Sequence, residues 1–279
     1  MVHRVPDCGF ARSYIVEEDV GLMVIDVGSI GAAQEIEVYC KKILNRPLRD
    51  IRFIAATHLH IDHIGGIGTL LNKCSPETKV LFHPLVQGYL DGTRELSPMR
   101  NWLFGLLPTM VSSFSGVKNL SHVTFENTAG IPLSTFSDYR YLPYEDQISY
   151  FDSGRFPRYR IGFGHWEVVA TPGHTEDSIS LFNEDTRELI CGDLIIGRND
   201  GTGYLNDFHF DTETILKTCR RVHESLRPRI IYPGHGGIVK HSLSAMLNVK
   251  THKVNPARCR PNKRIYPGST GMLSPFPHR

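Results

Sequence analysis

The sequence has no apolar run long enough to cross a bilayer. Its longest, Trp102–Val111, is about ten residues and contains Gly105 and Pro108, whereas a span needs about 20. No membrane association is expected. The opening stretch, MVHRVPDCGFARSYIV, is interrupted by Pro6, Asp7 and Arg12, so no signal-peptide core is expected and the cytoplasm is the default compartment. Cysteine is sparse. Cys8, Cys40, Cys74, Cys191, Cys219 and Cys259 form no C-x-x-C pair, which reads as reduced thiols rather than a disulfide scaffold. Net charge is small as well, with 31 Lys and Arg against 29 Asp and Glu, and that total hides an asymmetry. Val249 to Arg279 holds seven basic residues (Lys250, Lys253, Arg258, Arg260, Lys263, Arg264, Arg279) and no acidic one, leaving 24 positive against 29 negative charges in residues 1–248. What the chain has in quantity is histidine, 14 in 279 residues, and imidazole is the commonest metal ligand among side chains.

Hydrophobic periodicity predicts an α/β chain. Ser13–Val16 and Gly21–Asp26 read as a hairpin around the turn Glu17-Glu18-Asp19. Ala32–Leu44 reads as a helix with apolar residues at helical spacing (Ile36, Tyr39, Cys40, Ile43, Leu44), ended by Asn45-Arg46-Pro47. Ile51–Ala56 reads as an apolar strand buried on both faces, followed by a short helix through Leu70 and Leu71 and a strand at Lys79–Phe82. After an irregular, aromatic stretch, strands are expected at Trp166–Ala170, Ser178–Phe182, Glu188–Cys191 and Arg229–Tyr232, with a helix at Thr212–Leu226. The expected organisation is one domain over 1–248 with an insertion at about 84–163, then a basic, proline-containing extension over 249–279.

Chemistry concentrates at one turn. Directly after the Ile51–Ala56 strand comes Thr57-His58-Leu59-His60-Ile61-Asp62-His63-Ile64-Gly65-Gly66, three imidazoles and a carboxylate where a strand gives way to a helix. Such a turn can aim alternate side chains at one point, and α/β proteins place ligands beyond strand C-termini. These donors suit zinc, and also iron or manganese. A chance polar cluster is the competing reading. Three further segments argue against it: Ala170-Thr171-Pro172-Gly173-His174, Cys191-Gly192-Asp193 and Tyr232-Pro233-Gly234-His235. Each places one potential ligand after an apolar strand and beside a glycine.

In this order of motifs, His-x-His-x-Asp-His followed by His, Asp and His, the chain resembles the metallo-β-lactamase superfamily over about residues 10–240. The resemblance implies a four-layered αβ/βα sandwich, two sheets face to face with helices outside, and a metal site at one edge. It implies that His58, His60 and His174 hold a first metal, that Asp62, His63 and His235 hold a second, and that Asp193 bridges them. Two zinc ions are expected there, with iron or manganese as alternatives. Two metals about 3.5–4 Å apart can share a hydroxide and lower its pKa toward neutrality, so no serine or cysteine nucleophile is needed; Asp62 could orient that hydroxide. The superfamily's true β-lactamases usually carry Cys or Ser in place of Asp193, which argues against antibiotic hydrolysis.

The expected activity is hydrolysis of a small ester, lactone or thioester, as in glyoxalase II-like thioesterases and lactonases. The alternatives are a phosphodiesterase or nuclease on the same metals, a mononuclear iron enzyme like the persulfide dioxygenases, and a non-catalytic metal-containing ligand-binding protein. Tyr204, eleven residues after Asp193, is a candidate hydrogen-bond donor to a developing oxyanion. The 84–163 insertion reads either as a lid over the site, favouring an acyl or aromatic substrate, or as a homodimer interface. The basic extension reads either as solvated chain or as an attractor for an anionic substrate such as a coenzyme A thioester, a glutathione conjugate or a nucleic acid. Apart from Tyr266 it lacks the interleaved aromatics of a nucleic-acid module. His83, His122, His165 and His209 read as structural or exposed.

Overall fold

The computed structural model describes residues 1–95, 117–127, 129–131, 141–151 and 158–251. Trp102–Val111 and the basic extension beyond residue 251 lie outside the described residues. The first sheet is built from β1 (Val2–Arg4), β2 (Tyr14–Glu18), β3 (Gly21–Ile25), β4 (Ile51–Ala55), β5 (Lys79–Phe82) and β6 (Ile148–Tyr150), in that spatial order. Its first three strands are antiparallel, and β3 through β6 are parallel. The second sheet contains β7 (Arg158–Arg160), β8 (Trp166–Ala170), β9 (Ile179–Asn183), β10 (Glu188–Gly192), β13 (Ile230–Pro233) and β14 (Val239–Lys240). Its order is β14-β13-β10-β9-β8-β7. Between β10 and β13 the chain makes β11 (Ile195–Gly197) and β12 (Gly203–Leu205), which join β15 (Val249–Lys250) in a small third sheet.

Alternation along the strands sets the layers. Tyr14, Val16, Met23, Ile25 and Leu81 face inward and meet Val168, Ile179, Leu181, Ile190 and Tyr232 of the other sheet. On the first sheet's outer face, Ile15, Leu22, Val24, Ile54 and Val80 pack on Ala32, Ala33 and Ile36 of α1 (Ile30–Tyr39). On the second sheet's outer face, Phe182, Leu189 and Ile231 pack on Ile215 and Cys219 of α5 (Thr212–Arg221). Helix, sheet, sheet and helix form the four layers of an αβ/βα sandwich.

Three local expectations are corrected. Glu17 and Glu18 belong to β2, so the hairpin turn is Asp19-Val20, with Gly21 at φ +140°. Ile43 is exposed, not buried: α1 ends at Tyr39 and Cys40–Leu44 forms a π turn, whose extra residue rotates the apolar stripe off the sheet. Arg52 lies in the solvent at the start of β4, so that strand is covered on both faces only toward its C-terminal end. The stretch read as an insertion supplies α4 (Leu85–Leu90) and an edge strand to each sheet, β6 and β7. Cys8, Cys40, Cys74, Cys191 and Cys219 are free, and no helix among the described residues is long and apolar enough to cross a membrane.

Candidate metal centre

Strand β4 ends at Ala55, the chain bends through Thr57–Leu59, and the one-turn helix α2 (Ile61–Ile64) follows with His60 as its N-cap. The bend brings the His58 and His60 rings side by side, with centroids 4.4 Å apart, while Leu59 enters the outer core cluster. Asp62 and His63 follow on α2. The turn's main chain is held on several sides. Thr57 N–H donates to Asp26 Oδ1 (2.8 Å) and Leu59 N–H to Asp177 Oδ2 (2.8 Å), while Ile131 N–H donates to Leu59 O (2.9 Å). The other ligand candidates arrive singly, beyond β8, β10 and β13. Two glycines make room for them. Gly192 has φ +49°, and a Cβ there would lie 2.6 Å from Thr57 Oγ1; a Cβ on Gly234 would collide with Asp193 Oδ1.

All seven side chains converge. His58, His60 and His174 form one triad and Asp62, His63 and His235 another, with each triad's ligand atoms within 4.8 Å of one another. Asp193 faces both: Oδ2 lies 3.6 Å from His174 Nε2 and 3.3 Å from His235 Nε2, and Oδ1 lies 3.4 Å from His63 Nε2. Ligand atoms around tetrahedral zinc, with bonds of about 2.0–2.1 Å, sit roughly 3.3 Å apart. His58 Nε2, His63 Nε2 and Asp193 Oδ1 are buried without a hydrogen-bond partner among the described residues, a costly arrangement for polar atoms that a cation relieves. The cluster is able to bind metal.

The outer bonds orient these donors. A carbonyl only accepts, so the contacts His174 Nδ1–Phe208 O (2.6 Å) and His235 Nδ1–Phe10 O (3.0 Å) put the proton on Nδ1 and turn Nε2 inward. Asp26 Oδ2 does the same for His63 (2.8 Å) and also accepts from the Thr57 hydroxyl (2.9 Å), whose oxygen in turn accepts a hydrogen bond from His58 Nδ1–H (3.0 Å). Carboxylate or carbonyl support of this kind is what ligating histidines use. Burial, with the neighbouring imidazoles, holds His58 and His60 well below the usual imidazole pKa, and burial also lowers His174. Burial opposes charge on His63 too, but Asp26, Asp193 and Asp62 outweigh it and raise His63 well above the usual value. Asp193 and Asp62 likewise outweigh burial at His235, whose pKa rises to about 9. A bound cation would compete with protons at these two imidazoles.

Tyr204 sits on β12, with the Arg198 guanidinium 5.2 Å from its ring centre. Burial raises its pKa, opposed by Arg198 and assisted by Asp207 and Asp193. Two residues further on, Asn206 Nδ2 donates to Asp193 O (2.9 Å). Asp26, Asp177 and Asn206 escaped the sequence reading. Asp26 gave the same signal as Asp193, an acid directly after an apolar strand and close to a glycine, in Ile25-Asp26-Val27-Gly28. Asn206 gave none.

The family model of the metallo-beta-lactamase superfamily matches residues 6–81 and 115–235, and the chain belongs to that superfamily. It is 26% identical over 241 residues to the "Probable metallo-hydrolase YflN" of Bacillus subtilis (strain 168), covering 81% of this chain and 80% of the relative. To the "Beta-lactamase-like protein 2 homolog" of Caenorhabditis elegans it is 21% identical, covering 88% of this chain but only 63% of the relative. A shorter match, 27% over 131 residues (44% of this chain, 38% of the relative), is to the "Atrochrysone carboxyl ACP thioesterase" of Aspergillus fumigatus. Among solved structures, BLEG-1 B3 metallo-beta-lactamase aligns with a TM-score of 0.53 at 18% identity, covering 86% of this chain and 94% of the other. The chemotaxis sensor ODP, solved as a peroxy diiron species, aligns at TM-score 0.52 and 13% identity, covering 84% and 82%. At such identities the structural likeness concerns the fold alone.

Proposed function

We propose that this member of the superfamily is a dinuclear metal-dependent hydrolase that cleaves a small ester, lactone or thioester. The observation that carries the reading is Asp193, whose two oxygens approach nitrogens of both triads. His58, His60 and His174 would hold one metal, Asp62, His63 and His235 the other, and Asp193 would serve both. The donor set fits two zinc ions and accommodates iron or manganese. Bound there, the metals supply Lewis acidity and lower the pKa of water toward neutrality.

The protein's own groups do the rest. Asp62 is the most exposed of the seven, with 15% of its side chain accessible, and would orient incoming water through a carboxylate oxygen. Asn206 fixes Asp193 through its carbonyl. Tyr204, with a pKa that keeps it protonated at neutral pH, is assigned as a hydrogen-bond donor to the oxyanion or leaving group. The acyl class is supported by the thioesterase among the relatives. A single fully metallated preparation, assayed for metal content and against ester, lactone, thioester and bis(p-nitrophenyl) phosphate substrates, tests it. We expect two metals per chain and acyl hydrolysis that is lost in Asp62→Ala. Phosphodiester turnover without acyl hydrolysis, or one iron with oxygen uptake, would replace the proposal.

A further inference from the structure

Asp177 is three residues beyond His174 and only 1% exposed. Its Oδ2 accepts the N–H of Leu59 at 2.8 Å, the one residue between His58 and His60. Two residues later, Ile179 N–H donates to Thr57 O at 2.9 Å, on the other side of His58. The 174–178 turn is itself knit together: Ser178 Oγ accepts Thr175 N–H at 3.1 Å and shares a 2.7 Å bond with the Thr175 hydroxyl. From outside, Tyr89 of α4 donates to Glu176 Oε2 at 3.2 Å. The His174 turn is thus hydrogen-bonded within itself and grips the His58–His60 segment through one buried carboxylate, beside the strand bond from Ile179 N–H to Thr57 O.

We infer that Asp177 is a positioning residue for the first triad. Its carboxylate couples two segments 118 residues apart, so that His58, His60 and His174 are set in one geometry before any cation arrives. The second triad has no share in this contact: His63 is oriented by Asp26 and His235 by Phe10 O. The inference rests on the reading that the first triad takes a metal, and it adds a selective consequence. Removing Asp177 weakens one metal position and leaves the other.

The test titrates the metal-free full-length protein with zinc against a competing chelator, and with cobalt while its visible spectrum is recorded. In Asp177→Ala the affinity of the first triad falls about 10–100-fold, the usual cost of losing a ligand's support, and the cobalt spectrum shifts, whereas the second position is unchanged. Asp177→Asn keeps an oxygen for the Leu59 N–H and restores most of the affinity. Val168→Ala, a truncation between the sheets, serves as control for plain destabilisation: it lowers the melting temperature of the metal-free protein without changing either affinity. Unchanged binding in Asp177→Ala, or equal weakening at both positions, overturns the inference. Should Asp177→Ala not fold, amide exchange in the metal-free wild type decides: Leu59 protected like the β4 amides supports the clamp, and Leu59 exchanging like a surface turn refutes it. A wild type that takes up no metal overturns the proposed function, and the Leu59 amide then judges the clamp alone.

Discussion

The two halves of the sandwich deliver their ligands differently. The first sheet supplies His58, His60, Asp62 and His63 from one turn of six residues, while the second supplies His174, Asp193 and His235 from three separate strand ends. Their supports differ too. His58 and His63 lean on side chains, Thr57 and Asp26, whereas His174 and His235 lean on main-chain carbonyls of Phe208 and Phe10. His235 is even held from the opposite half: Arg12 N–H donates to Gly234 O at 2.7 Å and Tyr14 Oη to Pro233 O at 2.6 Å. One half therefore carries a locally encoded cluster, tunable by substitution. The other carries ligands that exist as a set only once both sheets have packed.

The hardest blow to this division falls where the halves meet. Asp193→Ala removes the one carboxylate that faces both triads, and we expect the loss of at least one metal per chain together with a fall in hydrolysis beyond the roughly 100-fold seen for supporting positions. Elemental analysis and kinetics on the same sample check it. Two retained metals would show that the triads are independent.

Substituting supports tests the asymmetry directly. Asp26→Ala leaves Thr57 N–H, the Thr57 hydroxyl and His63 Nδ1 without their acceptor at once, and should cost about 10–100-fold in metal affinity. Asn206→Ala in the other half removes the bond to Asp193 O, the acceptor of Phe208 N–H and a 3.3 Å contact with His174 Nδ1, while the main-chain carbonyl of Phe208 still accepts from His174. Its expected cost is about tenfold, at the low end of the same range, read by the same chelator competition. Equal costs would mean that main-chain support confers no advantage.

The same division explains what could be read in advance. The first-sheet cluster is a local pattern, so His58, His60, Asp62 and His63 stand out in sequence. His174, Asp193 and His235 were legible because each follows an apolar strand beside glycine, and because their order matches a family. Strand positions were also legible, since short apolar runs and near-continuous burial coincide in β8, β9, β10 and β13. Of the support residues only Asp26 carried such a signal. Asp177 and Asn206 act across tertiary contacts, and in sequence a turn Asp or Asn looks the same whether it caps a loop or grips a distant main chain. Ile43 shows the matching limit for packing, because a π turn displaces helical periodicity without any residue-type signal.

The smallest effect separates the ligand histidines from a structural one in the same half. His83 lies just past the C-terminal end of β5, where its Nδ1 accepts Leu85 N–H at 3.1 Å. Burial, with Arg94 adding to it, lowers its pKa to about 4. An imidazole in an unfolded chain titrates near 6.5, so between about pH 6.5 and 4 the unfolded state binds the proton that the folded state refuses. The stability this group protects is complete above about pH 6.5 and is lost as pH falls toward 4. Protonation at Nδ1 would also take away the acceptor that Leu85 uses. Because His83 is only partly buried, its share after discounting for solvent screening is about 1 kcal/mol. Urea unfolding of the protein between pH 7 and 4 should therefore show a gentler slope in His83→Gln than in the wild type. In zinc-loaded protein that difference between the two should persist, because His83 belongs to neither triad, whereas acid release of metal steepens both curves alike. A difference seen only with metal bound would place His83 among the groups that serve the site.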